Sequence, residues 1–173
     1  MINSGSRRWR ESRIRFRRYA GLPLRLVVGY GFLAHGLAKL SKGPEAFAGI
    51  LHSAGLPASQ LMAWVTVAVE IIGGVAILLG AFVSLVSIPA IILLAVAMVT
   101  VHLPYGFSSI KLLGFSNGRA QFGPPGYECD LLYMACILTL VFIGPSSWSI
   151  DALLNRDRST RGRAPVDDSF KTK

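Results

Sequence analysis

From Leu61 to Leu103 the chain runs for 43 residues with a single charged side chain, Glu70. A helix needs about 20 mostly apolar residues, rising about 1.5 Å each, to cross the hydrocarbon core of a bilayer. The stretch is too long for one crossing and the right length for two. Two further apolar segments flank it, one on each side. Residues 22–40, 59–80, 83–103 and 127–143 are the expected helices. Pro23 suits a first helical turn, Pro104 ends the third helix, Pro124 and Pro125 precede the fourth, and Gly144 and Pro145 close it.

Backbone groups in lipid must be satisfied within their own segment, which selects helices here. No period-two alternation points to a barrel. Across the chain 52% of residues are apolar and 16% are charged, against about 25% charged in ordinary soluble domains. Four such helices in one small soluble domain would leave little polar surface for water. The expectation is an all-α integral membrane four-helix bundle over residues 22–154. A basic leader (1–21) and a charged, disordered tail (155–173) flank it. The first apolar segment reads as a retained helix rather than a signal peptide. It contains His35 and Lys39, and no small-residue cleavage site follows it.

The charges outside the apolar segments set an orientation. Seven arginines lie within residues 1–18, and six cations follow Asn155, whereas the connections after the first and third helices offer only Lys42, Lys111 and Arg119. The excess of Lys and Arg beside helix ends marks the cytoplasmic side, so both termini are expected there. The arginines of the leader are interleaved with Trp9, Phe16 and Tyr19, a pattern also compatible with a nucleic-acid patch. Directly before a membrane span they fit anionic lipid headgroups better, at about 1 kcal/mol per cation near the surface. No nucleic acid is expected as a partner.

Charges within the bilayer are the informative residues. An ionisable side chain at the centre costs about 2.5–3.5 kcal/mol on insertion scales, so it faces the bundle and finds company. Glu70 sits near the middle of the second span, with Thr66, Gly73 and Gly74 on its face at about 100° per residue. Small residues allow close helix contact, which turns this stripe inward. In the first helix Arg25, Gly29, Phe32, Gly36 and Lys39 share a stripe, with His35 at its edge. Either Arg25 or His35 is within reach as the partner of Glu70, and the sequence leaves both open. His102 closes the third span, while Glu128 and Asp130 open the fourth. Those two acids are about 200° apart on a helix, so one cavity takes only one of them. Glu128 is expected beneath the Pro124–Gly126 segment, and Asp130 at the headgroups.

The connection from Tyr105 to Gly126 is long and carries Phe107, Phe115 and Phe122 among glycines. A lid over a pocket, a partner-binding surface and a headgroup-level plug all fit it. Cys129 and Cys136 are two helical turns apart, about 10 Å, too far for a disulfide within one helix. No Cys/His cluster has metal-site spacing.

Several stretches taken together resemble the DoxX-like family of small four-helix membrane proteins. They are Leu24-Arg25-Leu26, His35-Gly36 with Lys39-Leu40, Phe47 with Ala54-Gly55-Leu56-Pro57, and Glu70 with Gly73, Gly74 and Gly80. Pro125-Gly126-Tyr127-Glu128, Leu131-Leu132-Tyr133, Gly144-Pro145 and Ser149-Ile150-Asp151 complete the set. The chain departs from the family pattern after the second helix, where Phe82, Val83 and Ser84 stand in place of an arginine. The resemblance implies a multi-pass protein of a bacterial-type cytoplasmic membrane, with quinone as the implied cofactor.

Two functions of different classes follow. In the first, the chain is a membrane subunit of a quinone-linked oxidoreductase or redox-stress complex. His35 and Glu70 then serve the two quinone oxygens, and Arg25, Lys39, His102 and Glu128 make the surrounding polar cluster. No haem, flavin or iron–sulfur motif is visible, so electrons come from a partner or from substrate. In the second, the chain is a non-catalytic scaffold that recruits a protein partner or another copy of itself. A transporter is a weaker third reading, since no internal repeat is evident.

Overall fold

A computed structural model describes residues 19–146 and 148–161. The leader's arginines and the tail beyond Arg161, on which most of the orientation expectation rests, lie outside the described residues, whereas residues 155–161, expected as part of a disordered tail, are helical. Six helices and one hairpin follow in order: α1 (Gly21–Lys42), α2 (Pro44–Ser53), α3 (Ser59–Leu79), α4 (Val83–Ala97), β1 (Leu112–Ser116), β2 (Arg119–Phe122), α5 (Glu128–Ile143) and α6 (Ile150–Arg161). After α4 the chain stays helical through a π turn, Met98–His102, and a 3-10 turn, Leu103–Tyr105.

Three helical segments are long and apolar enough to cross a membrane: Gly21–Lys42, Ser59–Leu79 and Val83–Tyr105. The fourth expected helix forms as α5, but its 16 residues measure about 24 Å, short of a hydrocarbon core of about 30 Å. α1 packs on α3 and α5, and α4 packs on α3 and α5, so the four longest apolar helices close a ring. Val28, Phe32, Ile77, Ala90, Leu94, Ile137 and Leu140 fill its centre, with side chains from every one of these helices.

The outside of the ring is as apolar as the inside. Tyr30, Leu85 and Phe142 are 68%, 67% and 82% exposed, in company with many other large apolar side chains. A surface of this kind would aggregate in water and is satisfied by lipid.

Two elements are absent from the expected helix set. Gly43, at φ +86°, turns the chain sharply after α1, and Pro44 then starts α2. α2 lays Ala48 and Leu51 against Ala63 of α3, forming a small second core with Phe47 and Leu56. The helix α6 runs across the expected boundary at residue 154 and extends to Arg161. Its start is tied down: Asp151 accepts the backbone N–H groups of Phe82 (2.8 Å) and Val83 (3.2 Å), capping α4 from across the fold.

Candidate functional site

The closest helix contact is between α1 and α3, and glycines make it possible. A Cβ added to Gly74 would lie 2.7 Å from the Leu33 nitrogen and 2.8 Å from the Gly29 carbonyl, so backbone meets backbone here. One to two turns along, Gly36 faces Glu70 and Ile71 with equally little room. The inward turn expected for Glu70 is therefore correct, and the residue is 5% exposed midway along α3.

Its partner is neither of the two expected residues. Lys39 Nζ donates to Glu70 Oε1, forming an ion pair. Helical side chains lean toward the N-terminus of their own helix, so Lys39 reaches back over the Gly36 turn and lands on Glu70. The same ammonium lies 4.9 Å from the centre of the Phe47 ring, which α2 supplies. The other carboxylate oxygen, Oε2, is buried and has no hydrogen-bond partner among the described residues.

Arg25 is buried too, but it sits at the level of Ile77 and Leu78. Those residues are seven and eight positions beyond Glu70, about 10 Å along the helix, which rules out the expected Arg25–Glu70 pair. Arg25 Nε donates to the Ile77 carbonyl (3.1 Å) and Nη2 to the Leu78 carbonyl (2.6 Å). Its Nη1 donates to Ser146 Oγ (2.8 Å) and to the Trp148 carbonyl (2.7 Å). The guanidinium thus satisfies the Leu78 carbonyl, adds a second bond to the Ile77 carbonyl that already accepts the Gly80 N–H, and pins the α5–α6 connection to the end of α3. This is a structural clamp, remote from Glu70.

His35 is exposed on the ring's outer side. It precedes Gly36 by one residue, and that rotation of about 100° carries it off the α1–α3 contact. It lies four residues before Lys39, so the two are neighbours on one helix face, with His35 at the rim.

The second polar contact joins α4 and α5. His102 ends the π turn, and its Nδ1 lies 2.6 Å from Oδ2 of Asp130, which is 5% exposed. The expectation that Asp130 meets headgroups is therefore wrong. The 200° argument was sound, but it is Asp130 that faces the bundle. Glu128 turns to the preceding loop, where its Oε2 accepts the Ser109 N–H at 3.0 Å. A polar residue closing one apolar segment and another opening the next was the available signal for the His102–Asp130 pair. Both cysteines are free.

The ring of apolar helices, bare toward lipid and carrying buried charges at its seams, defines an α-helical integral membrane protein. The DoxX family matches residues 20–103, which take in α1 to α4 with both members of the Lys39–Glu70 pair. The chain belongs to the DoxX family. It is 29% identical over 143 residues to an uncharacterized membrane protein of Mycobacterium tuberculosis, covering 80% of this chain and 83% of that relative. An uncharacterized protein of Haemophilus influenzae is 30% identical over 139 residues, covering 79% of this chain and 92% of the relative. A Bacillus subtilis protein named "Putative oxidoreductase CatD" is 37% identical over 86 residues, covering 50% and 62% respectively. No solved structure matches the chain.

Proposed function

We infer that this DoxX protein is the membrane subunit of a quinone-linked redox system, with its site at the α1–α3 seam. The observation that carries the reading is Glu70 Oε2, an acceptor sealed from water and left without a donor. An orphaned buried carboxylate oxygen is costly, and a ligand hydroxyl placed there would relieve it. Lys39 supplies the complementary cation, which suits an oxygen that gains negative charge. His35 lies one turn away on the lipid-facing rim, where a molecule dissolved in the bilayer would arrive. A cation, a bare acceptor and an imidazole one turn away fit a quinone–quinol couple, whose quinol hydroxyl would donate to Oε2 and whose quinone carbonyl would accept from Lys39.

A bound quinone accepts two electrons and two protons to become a quinol, with the electrons delivered by a partner protein. Glu70 and Lys39 orient the ring and hold the proton nearest its inner oxygen. His35 exchanges protons at the rim. The oxidoreductase name of the Bacillus subtilis relative supports the same reading over half the chain. Arg25 and Glu128 are engaged elsewhere and leave the proposed site. His102 remains in the proposal only as part of a second proton-handling pair with Asp130.

The reading includes the membrane arrangement. We propose a multi-pass protein of a bacterial cytoplasmic membrane, with α5 as the fourth crossing and both arginine-rich ends on the cytoplasmic side. A helix as short as α5 crosses where the bilayer thins beside it. Anionic headgroups then hold the leader, and the electron-donating subunit is the protein partner.

The test is purification of the full chain in mild detergent, solvent extraction, and a reduced-minus-oxidised ultraviolet spectrum of the extract. Quinone should co-purify with wild type and be lost from Glu70→Gln protein of unchanged oligomeric size. Quinone-free wild type, together with stoichiometric recovery of one other protein, would establish the scaffold instead.

A further inference from the structure

The connection between α4 and α5 is a hairpin with two chemically different faces. Asn117 (φ +52°) and Gly118 (φ +71°) make its tight turn, a pair of positive φ values that an Asn-Gly dipeptide adopts readily. The strands pair Ser116 with Arg119, Phe115 with Ala120, Gly114 with Gln121, and Leu112 with Phe122, with a bulge at Leu113. Side chains alternate along a strand, and paired residues share a face. Ser116, Arg119 and Gln121 therefore lie on one face. The bulge inserts one residue in β1, which returns Leu112 to the same side as Phe115. Leu112, Phe115, Ala120 and Phe122 thus form a second face that is wholly apolar.

The apolar face is bare. Leu112, Phe115 and Phe122 are 56%, 75% and 61% exposed, and neither strand is packed against the helical ring. The base of the hairpin is firmly placed all the same. Gly126, Tyr127 and Glu128 donate their backbone N–H groups to the carbonyls of Ser108, Gly106 and Phe107, at 3.0, 3.1 and 2.9 Å. These bonds fix the root beside Tyr105, where the third membrane-length helix ends. The hairpin consequently starts at the membrane boundary. Lys111 and Arg119 are the charged residues from Pro104 to Tyr127, and both are cations.

We propose that this hairpin is an interfacial lipid-binding element. Its Leu112–Phe115–Ala120–Phe122 face rests in the acyl boundary of the leaflet at that end, and Lys111 and Arg119 meet anionic headgroups. An isolated two-stranded hairpin is marginal in water, and an amphipathic surface lying on lipid supplies the missing apolar contact. Two cations without an acid match the sign of anionic lipid.

The test uses the full chain in vesicles of phosphatidylcholine and phosphatidylglycerol, with Cys129→Ser and Cys136→Ser as the background for nitroxide labels. Labels are placed through Phe115→Cys, through Ala120→Cys, which removes no aromatic ring, and through Gln121→Cys on the opposite face. Collision rates with oxygen and with a water-soluble nickel chelate report depth. The ratio of oxygen to nickel accessibility should be several-fold higher at 115 and 120 than at 121. In vesicles of phosphatidylcholine alone, Lys111→Gln with Arg119→Gln should change that ratio less than in the anionic vesicles. Equal nickel accessibility at all three positions would show the hairpin standing in water and overturn the proposal. Shielding of 115 and 120 from both reagents, with spin–spin broadening between labels, would put a second copy on the face and overturn it too.

Discussion

Lys39 engages one oxygen of Glu70 and leaves the other bare, so the pair is held together across the α1–α3 seam without being fully satisfied. The two side chains differ in burial, at 23% exposed for Lys39 and 6% for Glu70. The carboxylate is the more dependent member. Removing the ammonium alone strands a buried anion, which costs about 3–5 kcal/mol. Lys39→Met should accordingly unfold at markedly lower temperature in detergent. Adding Glu70→Leu removes the stranded charge and should recover most of that loss. A double-mutant cycle by thermal unfolding measures the coupling, and additive effects of the two changes would contradict the pairing.

Arg25 works through shape as much as through charge. Its four donated bonds reach two carbonyls at the end of α3, one hydroxyl and one carbonyl beyond α5. A lysine carries the charge but cannot spread it over acceptors in those directions. Arg25→Lys should lose about 2–3 kcal/mol, in line with bonds made to a charged group. Gly80 offers an independent check. It ends α3 at φ +63°, and a Cβ there would lie 2.6 Å from the Arg25 Cζ. Gly80→Ala should therefore resemble Arg25→Lys in unfolding temperature. It should also speed protease cleavage in the segment after Gly144.

The helical ring and the inward turn of Glu70 were legible in the sequence because lipid leaves so few options. An apolar run of fixed length must be a helix, and a charge inside it must face another helix. The partner of Glu70 was not legible. Arg25, His35 and Lys39 all fall on or beside one stripe of α1. Choosing among them needs the axial register of α1 against α3, which the contacts at Gly29–Gly74 and Gly36–Glu70 set. Register depends on close backbone packing, and periodicity within one helix carries no trace of it. α2 was missed because ten residues lack the length that marks a span. The hairpin was missed although Asn117-Gly118 announced its turn, since the bulge at Leu113 broke the alternation around it.

The imidazole of His102 donates through Nδ1 to a carboxylate that is nearly inaccessible. A neutral histidine in that setting carries its proton on Nδ1 and leaves Nε2 as an acceptor. Nitrogen-15 spectra of histidine-labelled protein at alkaline pH should show one of the three histidines as the Nδ1–H tautomer. Asp130→Leu should return that signal to the Nε2–H form that free imidazoles favour, and Asp151→Asn should leave it in place. The Nδ1–H signal persisting in Asp130→Leu would mean that another acceptor fixes the ring.

Adjacent glycines in α3 provide the sharpest contrast. Gly73 and Gly74 are both buried, yet a Cβ on Gly73 meets no atom within 4 Å, while one on Gly74 would strike backbone of α1 at 2.7 and 2.8 Å. Backbone cannot swing aside as a side chain can, so Gly74→Ala must push the two helices apart. Overpacking of this kind costs about 1–3 kcal/mol, and here it also stretches Lys39 away from Glu70. Gly73→Ala, by contrast, enters open space and gains helix propensity of up to about 1 kcal/mol. Unfolding temperatures in one detergent should fall for Gly74→Ala and hold or rise for Gly73→Ala. The double change of Gly74→Ala with Lys39→Met should cost less than the sum of the two, because separated helices have already weakened the ion pair.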